Sequence, residues 1–354
     1  MELEQNNIRR ILVRSTNWVG DALLTTPALA SLRENFPDSH ISVLAKKWVA
    51  AVFENHPAVN DVIIYDIEGR HKGWSGFLSL AREIRAKRFD LAVLFQHAFG
   101  AALLVWLARI PERVGYNTDA RGFLLNRAVR YRPEDKEIHE TDSYQGLISR
   151  SGLKVRLSNP VFYLPPEVEQ WALNKLTEWN LDDTFILGLA PGAAYGPAKQ
   201  WPQENFAKAA RIILEKIPGA VFIFGSQSEA GVARGVKELL NVPAYDLTGS
   251  TNLAEAAALI KRCRLFLTND SGLMHVGAAV GTPLVAIFGS TNPITTSPYT
   301  KKARVIRHAV DCAPCLKREC MQPRHLCMEL VTPEEVAAAG LELLKQAGEP
   351  DDEP

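Results

Sequence analysis

Three loops of this chain carry residues able to do chemistry, and each follows an apolar run that reads as a strand. The first, "STNWVGD", ends on Asp21 just after Ile11-Leu12-Val13. A carboxylate there can take a proton from a hydroxyl. It is equally suited to cap the helix expected over 22–35. The second loop, "APGAAYGPAKQWP", sets Gly192 and Gly196 ahead of Lys199. Small residues let main-chain N–H groups approach a phosphate, and a lysine neutralises it. A plain turn with a solvated lysine is the competing reading. The third, "TNDSGLMH", offers the N–H groups of Ser271 and Gly272 at the start of a helix, where free donors and the helix dipole favour an anion. An ordinary cap by Asp270 or Ser271 accounts for the same residues but not for His275 one turn on. Neither G-x-x-x-x-G-K-[ST] nor G-x-G-x-x-G is present at these strand ends, which disfavours a P-loop enzyme and a nicotinamide enzyme.

Two similar halves must position these loops. In the first, strands over 11–13, 40–46, 59–66 and 89–95 alternate with helices over 22–35, 50–55, 76–87, 101–107 and 141–151, and "ERVGY" adds a short strand. "SNPVFYLPPE" reads as an extended linker because Pro160, Pro165 and Pro166 disfavour helix in the residues before them. The second half repeats the grammar, from the strand "TFILGLA" to a closing helix over 333–346. Such alternation implies parallel sheets with helices on both faces. The expectation is an α/β chain of two Rossmann-like domains, 1–165 and 166–347, facing a central cleft, with 348–354 a disordered tail. Ligands on such sheets bind outside the carboxyl ends of the strands, where all three loops fall.

Composition narrows the function class. Lys+Arg and Asp+Glu balance at 40 each in 354 residues, so no basic excess marks a dedicated nucleic-acid binder. No signal peptide is visible, and the longest apolar stretch, over 98–110, is short of the roughly 20 residues that span a bilayer. A cytoplasmic protein is the simplest expectation. Five cysteines in a chain of this length do not suggest a secreted disulfide scaffold. Four of them, Cys312, Cys315, Cys320 and Cys327, run C-x2-C-x4-C-x6-C with His325 nearby, a clustering that suggests a structural zinc before a disulfide. The paired C-x2-C layout usual for zinc is only half present. Cys263 reads as core.

Taken together, "RSTNWVGDALLTTPAL", "PGAAYGPAKQWP" and "TNDSGLMHVGAAVGTPLVAIFGSTNP" resemble the ADP-heptose:lipopolysaccharide heptosyltransferases of glycosyltransferase family 9. The three motifs occur in register across almost the whole chain, and the GPAK-x-WP form is most like the branch that acts on the first inner-core heptose. The resemblance implies a GT-B fold, with acceptor bound by the N-terminal domain and nucleotide sugar by the C-terminal one. It implies heptose transfer from ADP-L-glycero-β-D-manno-heptose to the inner core of lipopolysaccharide, with inversion. Asp21 is then the general base, and Lys199, with Gly192, Ser271, Gly272 and His275, holds the donor diphosphate. Asp270 bonds sugar hydroxyls or fixes the loop, and Glu229 reaches the ribose. No organic cofactor is implied; a divalent cation and a structural zinc stay open.

The lipid-linked acceptor gives two further stretches a role. Residues 109–132 hold six arginines, suited to carboxylates and phosphates of the inner core, with Arg121 the first candidate; Glu112 and Asp119 dilute that charge toward an ordinary solvated surface. Trp74 and Phe77 read first as a core helix face and second as a peripheral contact with the cytoplasmic face of the inner membrane.

Overall fold

The computed structural model describes residues 7–346, so the expected tail lies outside the described residues. The chain divides into two compact units, Met1–Tyr163 and Leu164–Pro354.

The first unit is built on six parallel strands: β1 Arg10–Arg14, β2 His40–Lys46, β3 Asp61–Tyr65, β4 Leu91–Leu94, β5 Glu112–Tyr116 and β6 Arg127–Val129. Their order in the sheet is β3-β2-β1-β4-β5-β6. β1 and β4 lie at the centre, covered on both faces, which is why they read as unbroken apolar runs rather than alternating ones. Leu12, Leu44, Leu80, Phe89 and Leu104 form part of the core on one side of this sheet. The winding reverses between β1 and β4, so a crevice opens at their carboxyl ends.

The helix expected over 22–35 is two helices, Val19–Leu24 and Thr26–Asn35, which meet at Thr25. Pro27 explains the break. It has no N–H for the carbonyl of Leu23, and it sits in the first turn of the second helix, where no such bond is required. The Thr26 hydroxyl donates to the Leu23 carbonyl instead, at 2.7 Å, and Thr25 does the same for Ala22 at 2.6 Å. The start therefore moves upstream. Trp18 holds the cap position and Asp21 sits within the first turn, so Asp21 is not the N-cap.

The second unit repeats the topology with β7 Phe185–Ala190, β8 Gly219–Ile223, β9 Ala244–Asp246, β10 Leu265–Asn269, β11 Leu284–Ile287 and β12 Ala303–Ile306. Their order is β12-β11-β10-β7-β8-β9, all parallel, and the switch falls between β7 and β10. Leu187, Phe206, Ile213, Val285 and Val336 share one core cluster, to which the buried Trp201 ring belongs. Several elements escape the sequence pattern, among them three that matter to the fold. β6 and β12 are short edge strands of mixed polarity, and the helix Pro166–Glu178 hides behind its prolines. Pro166 there opens the helix at a position whose N–H would be unpaired anyway. No helix among the described residues is long and apolar enough to cross a membrane.

Candidate active site

At the crevice of the first unit, Asp21 stands in the first turn of Val19–Leu24, where the positive end of the helix dipole favours its anion. The helix Glu140–Arg150 packs against this turn and brings up a second carboxyl, Glu140, the first residue of that helix. Burial, and then the charge of Asp21, push Glu140 up to about 7. The Tyr144 phenol donates a hydrogen bond to it, and burial beside the two carboxyls pushes that phenol well up in turn. Two carboxyl groups whose environments differ are the arrangement from which acid–base chemistry is built. Glu140 carries no signal in the sequence beyond the start of a helix, since its partner is more than a hundred residues away. Beside Tyr144, His97 is pulled down to about 4 by burial and by the Arg121 charge, and is neutral at pH 7.

Half of the six arginines in this stretch are structural, and the acceptor contact expected of Arg121 does not fit its position. Its side chain is fully buried. The guanidinium donates to the carbonyl oxygens of Tyr116 at 2.8 Å, Ala98 at 3.3 Å and Gln96, tying the loop after β4 to the end of β5. Arg113 likewise bonds the carbonyls of Leu124 and Ile110, and Arg127 pairs with Glu112. Arg109, Arg130 and Arg132 are the exposed members, and the last two line an open depression beside β6.

A different part of this unit is hollow. A cavity of about 490 Å3 lies off the ends of β1 to β4, lined among others by Arg14, Lys46, Tyr65, Trp74 and Phe77. Trp74 is 64% exposed and stacks on Phe77 at 5.6 Å, so it is a wall of this cavity and not part of the core as first read. Arg14 ends an apolar strand, and that one misplaced charge is the signal that the sequence offered.

In the second unit the loops after β7 and β10 meet. Lys199 Nζ lies 2.6 Å from Asp270 Oδ2, both largely buried, and Thr291 donates to the same oxygen at 2.5 Å. Asp270 therefore fixes the lysine. Asn269, unremarked in the sequence, locks the loop from below: its amide donates to the carbonyls of Pro191 at 2.7 Å and Gly192 at 3.2 Å, and its oxygen accepts from the Trp201 N–H at 3.0 Å. A Cβ on Gly192 would stand 2.2 Å from Glu229 Oε1, so any larger residue there has to displace that carboxylate. Glu229 caps the turn Gln227–Glu229 through Ser226 and at the same time touches the Gly192 loop. Ser271 is the cap residue of the helix Gly272–Ala279, whose first N–H groups are free of intrahelical partners by construction. His275 is buried in that helix. Lys199, Gly192, Ser271, Gly272, Asp270, His275 and Glu229 are thus gathered in one unit, around the carboxyl ends of β7, β8 and β10.

The four cysteines also come together. Cys312, Cys315, Cys320 and Cys327 line one cavity of about 230 Å3 with His325. Burial, and then the neighbouring thiols, push Cys327 up to about 11. No group of three metal-ligating side chains among the described residues is arranged to hold an ion. The segment instead buttresses the lysine loop. The Arg318 carbonyl accepts from the Ala198 N–H at 3.0 Å, His325 Nε2 donates to the Ala198 carbonyl at 3.1 Å, and Tyr195 Oη donates to the Leu316 carbonyl at 2.8 Å. Gly196, at φ +154°, has no room for a Cβ against the Arg318 carbonyl.

Comparison with known proteins is consistent across sequence and structure. Residues 77–325 match the family described as glycosyltransferase family 9 (heptosyltransferase). Lipopolysaccharide heptosyltransferase 2 of Salmonella typhimurium is 30% identical over 348 residues, covering 96% of this chain and 99% of that one. The solved ADP-heptose lipopolysaccharide heptosyltransferase II of Escherichia coli superposes with a TM-score of 0.81 at 30% identity, covering 96% of this chain and all of that one. A family 9 glycosyltransferase from Veillonella parvula gives a TM-score of 0.88 at 28% identity over 98% of this chain and 99% of that one.

Proposed function

This chain belongs to glycosyltransferase family 9, and on that premise we propose that it is an inverting transferase moving heptose from ADP-heptose to the first heptose of the lipopolysaccharide inner core. The observation that carries the reading is that the second unit gathers a fixed lysine, a glycine-lined loop and a helix start at the carboxyl ends of its strands, while the first unit presents a helix-start carboxylate at its own. Asp21 removes the proton from the acceptor hydroxyl as that oxygen attacks the anomeric carbon. The bond from the anomeric carbon to the donor phosphate oxygen breaks, and the electron pair leaves with ADP. Lys199 and the N–H groups at the start of Gly272–Ala279 hold the diphosphate and stabilise the charge that grows there. Asp270 acts through Lys199, holding it in place, rather than on the phosphate, which it would repel. Gly192 lets the main chain approach, Glu229 lies beside it for the ribose hydroxyls, and His275 contributes from within the helix. The acceptor is lipid-linked, so we place the enzyme peripherally at the cytoplasmic face of the inner membrane.

A donor screen decides the reading. ADP-heptose, ADP-glucose and UDP- and GDP-sugars are offered with a core acceptor that ends on its first heptose, and the product is weighed by mass spectrometry. A gain of one heptose from ADP-heptose alone is expected. Transfer of another sugar moves the protein to another donor, and no transfer from any of them removes the enzyme assignment.

A further inference from the structure

A second cation stands at the lysine loop, on a segment that lies outside the three chemistry-bearing motifs. Arg318 falls among the four cysteines, far downstream of Lys199, and is exposed. An exposed arginine is ordinarily a mobile, solvated charge. This one is held. Its Nε–H donates to the Tyr195 carbonyl at 2.9 Å, and its own carbonyl accepts from the Ala198 N–H at 3.0 Å. The Tyr195 ring is shared by two cations: the Arg318 guanidinium carbon stands 5.5 Å from its centroid and Lys199 Nζ 4.9 Å. A ring face attracts a cation, so Tyr195 draws both to one place. The ring is itself tied down, through its hydroxyl, to the Leu316 carbonyl. The two terminal nitrogens of Arg318 have no such commitment. Among the described residues they make no hydrogen bond, and Arg318 forms no ion pair. Arg324, on the same segment, is by contrast matched by Glu329.

The charges gathered at the carboxyl ends of β7, β8 and β10 show what such a cation adds. Lys199 and Asp270 cancel at 2.6 Å, and Glu229 brings a further carboxylate to the Gly192 loop. Even with His275 protonated, this set has no net positive charge. It offers hydrogen-bond donors and, at the helix start, a partial charge. A sugar diphosphate carries a negative charge on each phosphorus and gains another as its bond to the sugar breaks. A guanidinium with free parallel donors matches two phosphate oxygens and supplies the missing charge.

We propose that Arg318 is a second catalytic cation on the donor diphosphate, with its terminal nitrogens on the phosphate oxygens. As the bond from the anomeric carbon breaks, the electron pair passes to the phosphate oxygen of the leaving ADP, and Arg318 meets the charge that Lys199, already paired, does not. The inference rests on the reading that the second unit holds a nucleoside diphosphate sugar. It gives the cysteine-bearing segment a direct part in the reaction besides its support of Ala198.

Two substitutions separate charge from architecture. Arg318→Gln sets an amide nitrogen where Nε stands, so it keeps the bond to Tyr195 and loses the charge. Arg318→Lys keeps the charge and loses that bond. ADP binding to the full-length enzyme is measured by calorimetry, and kcat by steady-state transfer from ADP-heptose. We expect Arg318→Gln to weaken ADP binding roughly tenfold and to lower kcat about 10- to 100-fold, the larger loss falling on kcat because the charge grows in the transition state. Arg318→Lys should stay within about fivefold of the parent in both. Parental binding and kcat in Arg318→Gln, or a loss in Arg318→Lys as large as in Arg318→Gln, overturns the proposal and leaves Arg318 a support of the loop. ADP binding needs no acceptor, so the two readings part. If no heptose is transferred, yet Arg318→Gln loses ADP and Arg318→Lys keeps it, the heptose assignment falls and the diphosphate contact stands. If Arg318→Gln transfers heptose at the parental rate, the contact falls and the assignment stands.

Discussion

The two units are wound alike and handle charge in opposite ways. In the second, the functional cation is closed on a counter-charge: Lys199 rests on Asp270, which Thr291 and the β10 end hold in turn. In the first, like charges are left together, Asp21 beside Glu140 and Arg14 beside Lys46. A site that must hold a diphosphate through a reaction gains from a lysine already fixed, because little freedom is lost when the ligand arrives. A site that must shift a proton gains from a carboxyl whose neighbour resists a second negative charge. The shared topology sets where each loop opens, and the loop residues set what happens there.

Breaking that contrast at the base gives the largest effect. Asp21→Asn is expected to lower the transfer rate by about 100- to 10,000-fold with ADP-heptose affinity unchanged, read by steady-state kinetics and calorimetry. Full activity in that variant would remove the base from the first unit.

The closed pair comes next. Lys199→Ala should weaken donor binding by about 100-fold or less and lower the melting temperature, because Asp270 is then buried without its partner. Adding Asp270→Asn should restore the melting temperature and leave donor affinity weak. Stability and binding that recover together would mean the lysine only balances Asp270.

The open pair is sharpened by pH. Glu140 is raised in the folded protein to about 7 from an ordinary 4.5, so its favourable contribution is complete below pH 4.5 and is lost as pH rises through 7. Glu140→Gln should therefore match the parent at pH 4.5 and exceed it by about 2 kcal/mol at pH 8, after allowance for partial exposure, by denaturant titration. A constant difference across that range would show that Glu140 is not held near Asp21 as its neighbour.

The smallest change tests contact within the donor loops. Gly192→Ala sets a methyl carbon against Glu229 and should weaken donor affinity about fivefold through displacement of that carboxylate. No change would detach Glu229 from the site.

Most of what the sequence made legible was main-chain architecture. Unbroken apolar runs marked the central strands, and the glycines and small residues after them marked the loops, because both follow from local geometry. The long-range pairings were not legible. Nothing near Glu140 announces Asp21, and nothing near Lys199 says that Asp270 holds it. Arginines misled for a related reason. Arg121 sits in a basic, loop-like stretch that reads as solvent-facing, yet it points inward to gather carbonyls. Arg14, which follows three apolar residues of the core, faces a cavity. Side-chain direction depends on which strand lies alongside, and a one-dimensional charge count does not contain it. The break at Thr25 was present in the residues, as two threonines ahead of a proline, but the helical period across it was strong enough to hide it.

The support that the cysteine-bearing segment lends to Ala198 also limits how this site can be moved or cut. Arg318 and His325 hold both main-chain groups of the residue before the lysine, from more than a hundred positions downstream. A transplant of residues 191–202 onto another βαβ scaffold would carry the lysine without the mould that shapes its loop. A chain shortened ahead of residue 312 would keep all twelve strands. It would still lose the hydrogen bonds that hold Ala198, and with them the core residues Val331, Val336 and Ala337. The lysine loop of this protein is shaped by a discontinuous set of residues, and the last of them lie beyond the final strand of the sheet.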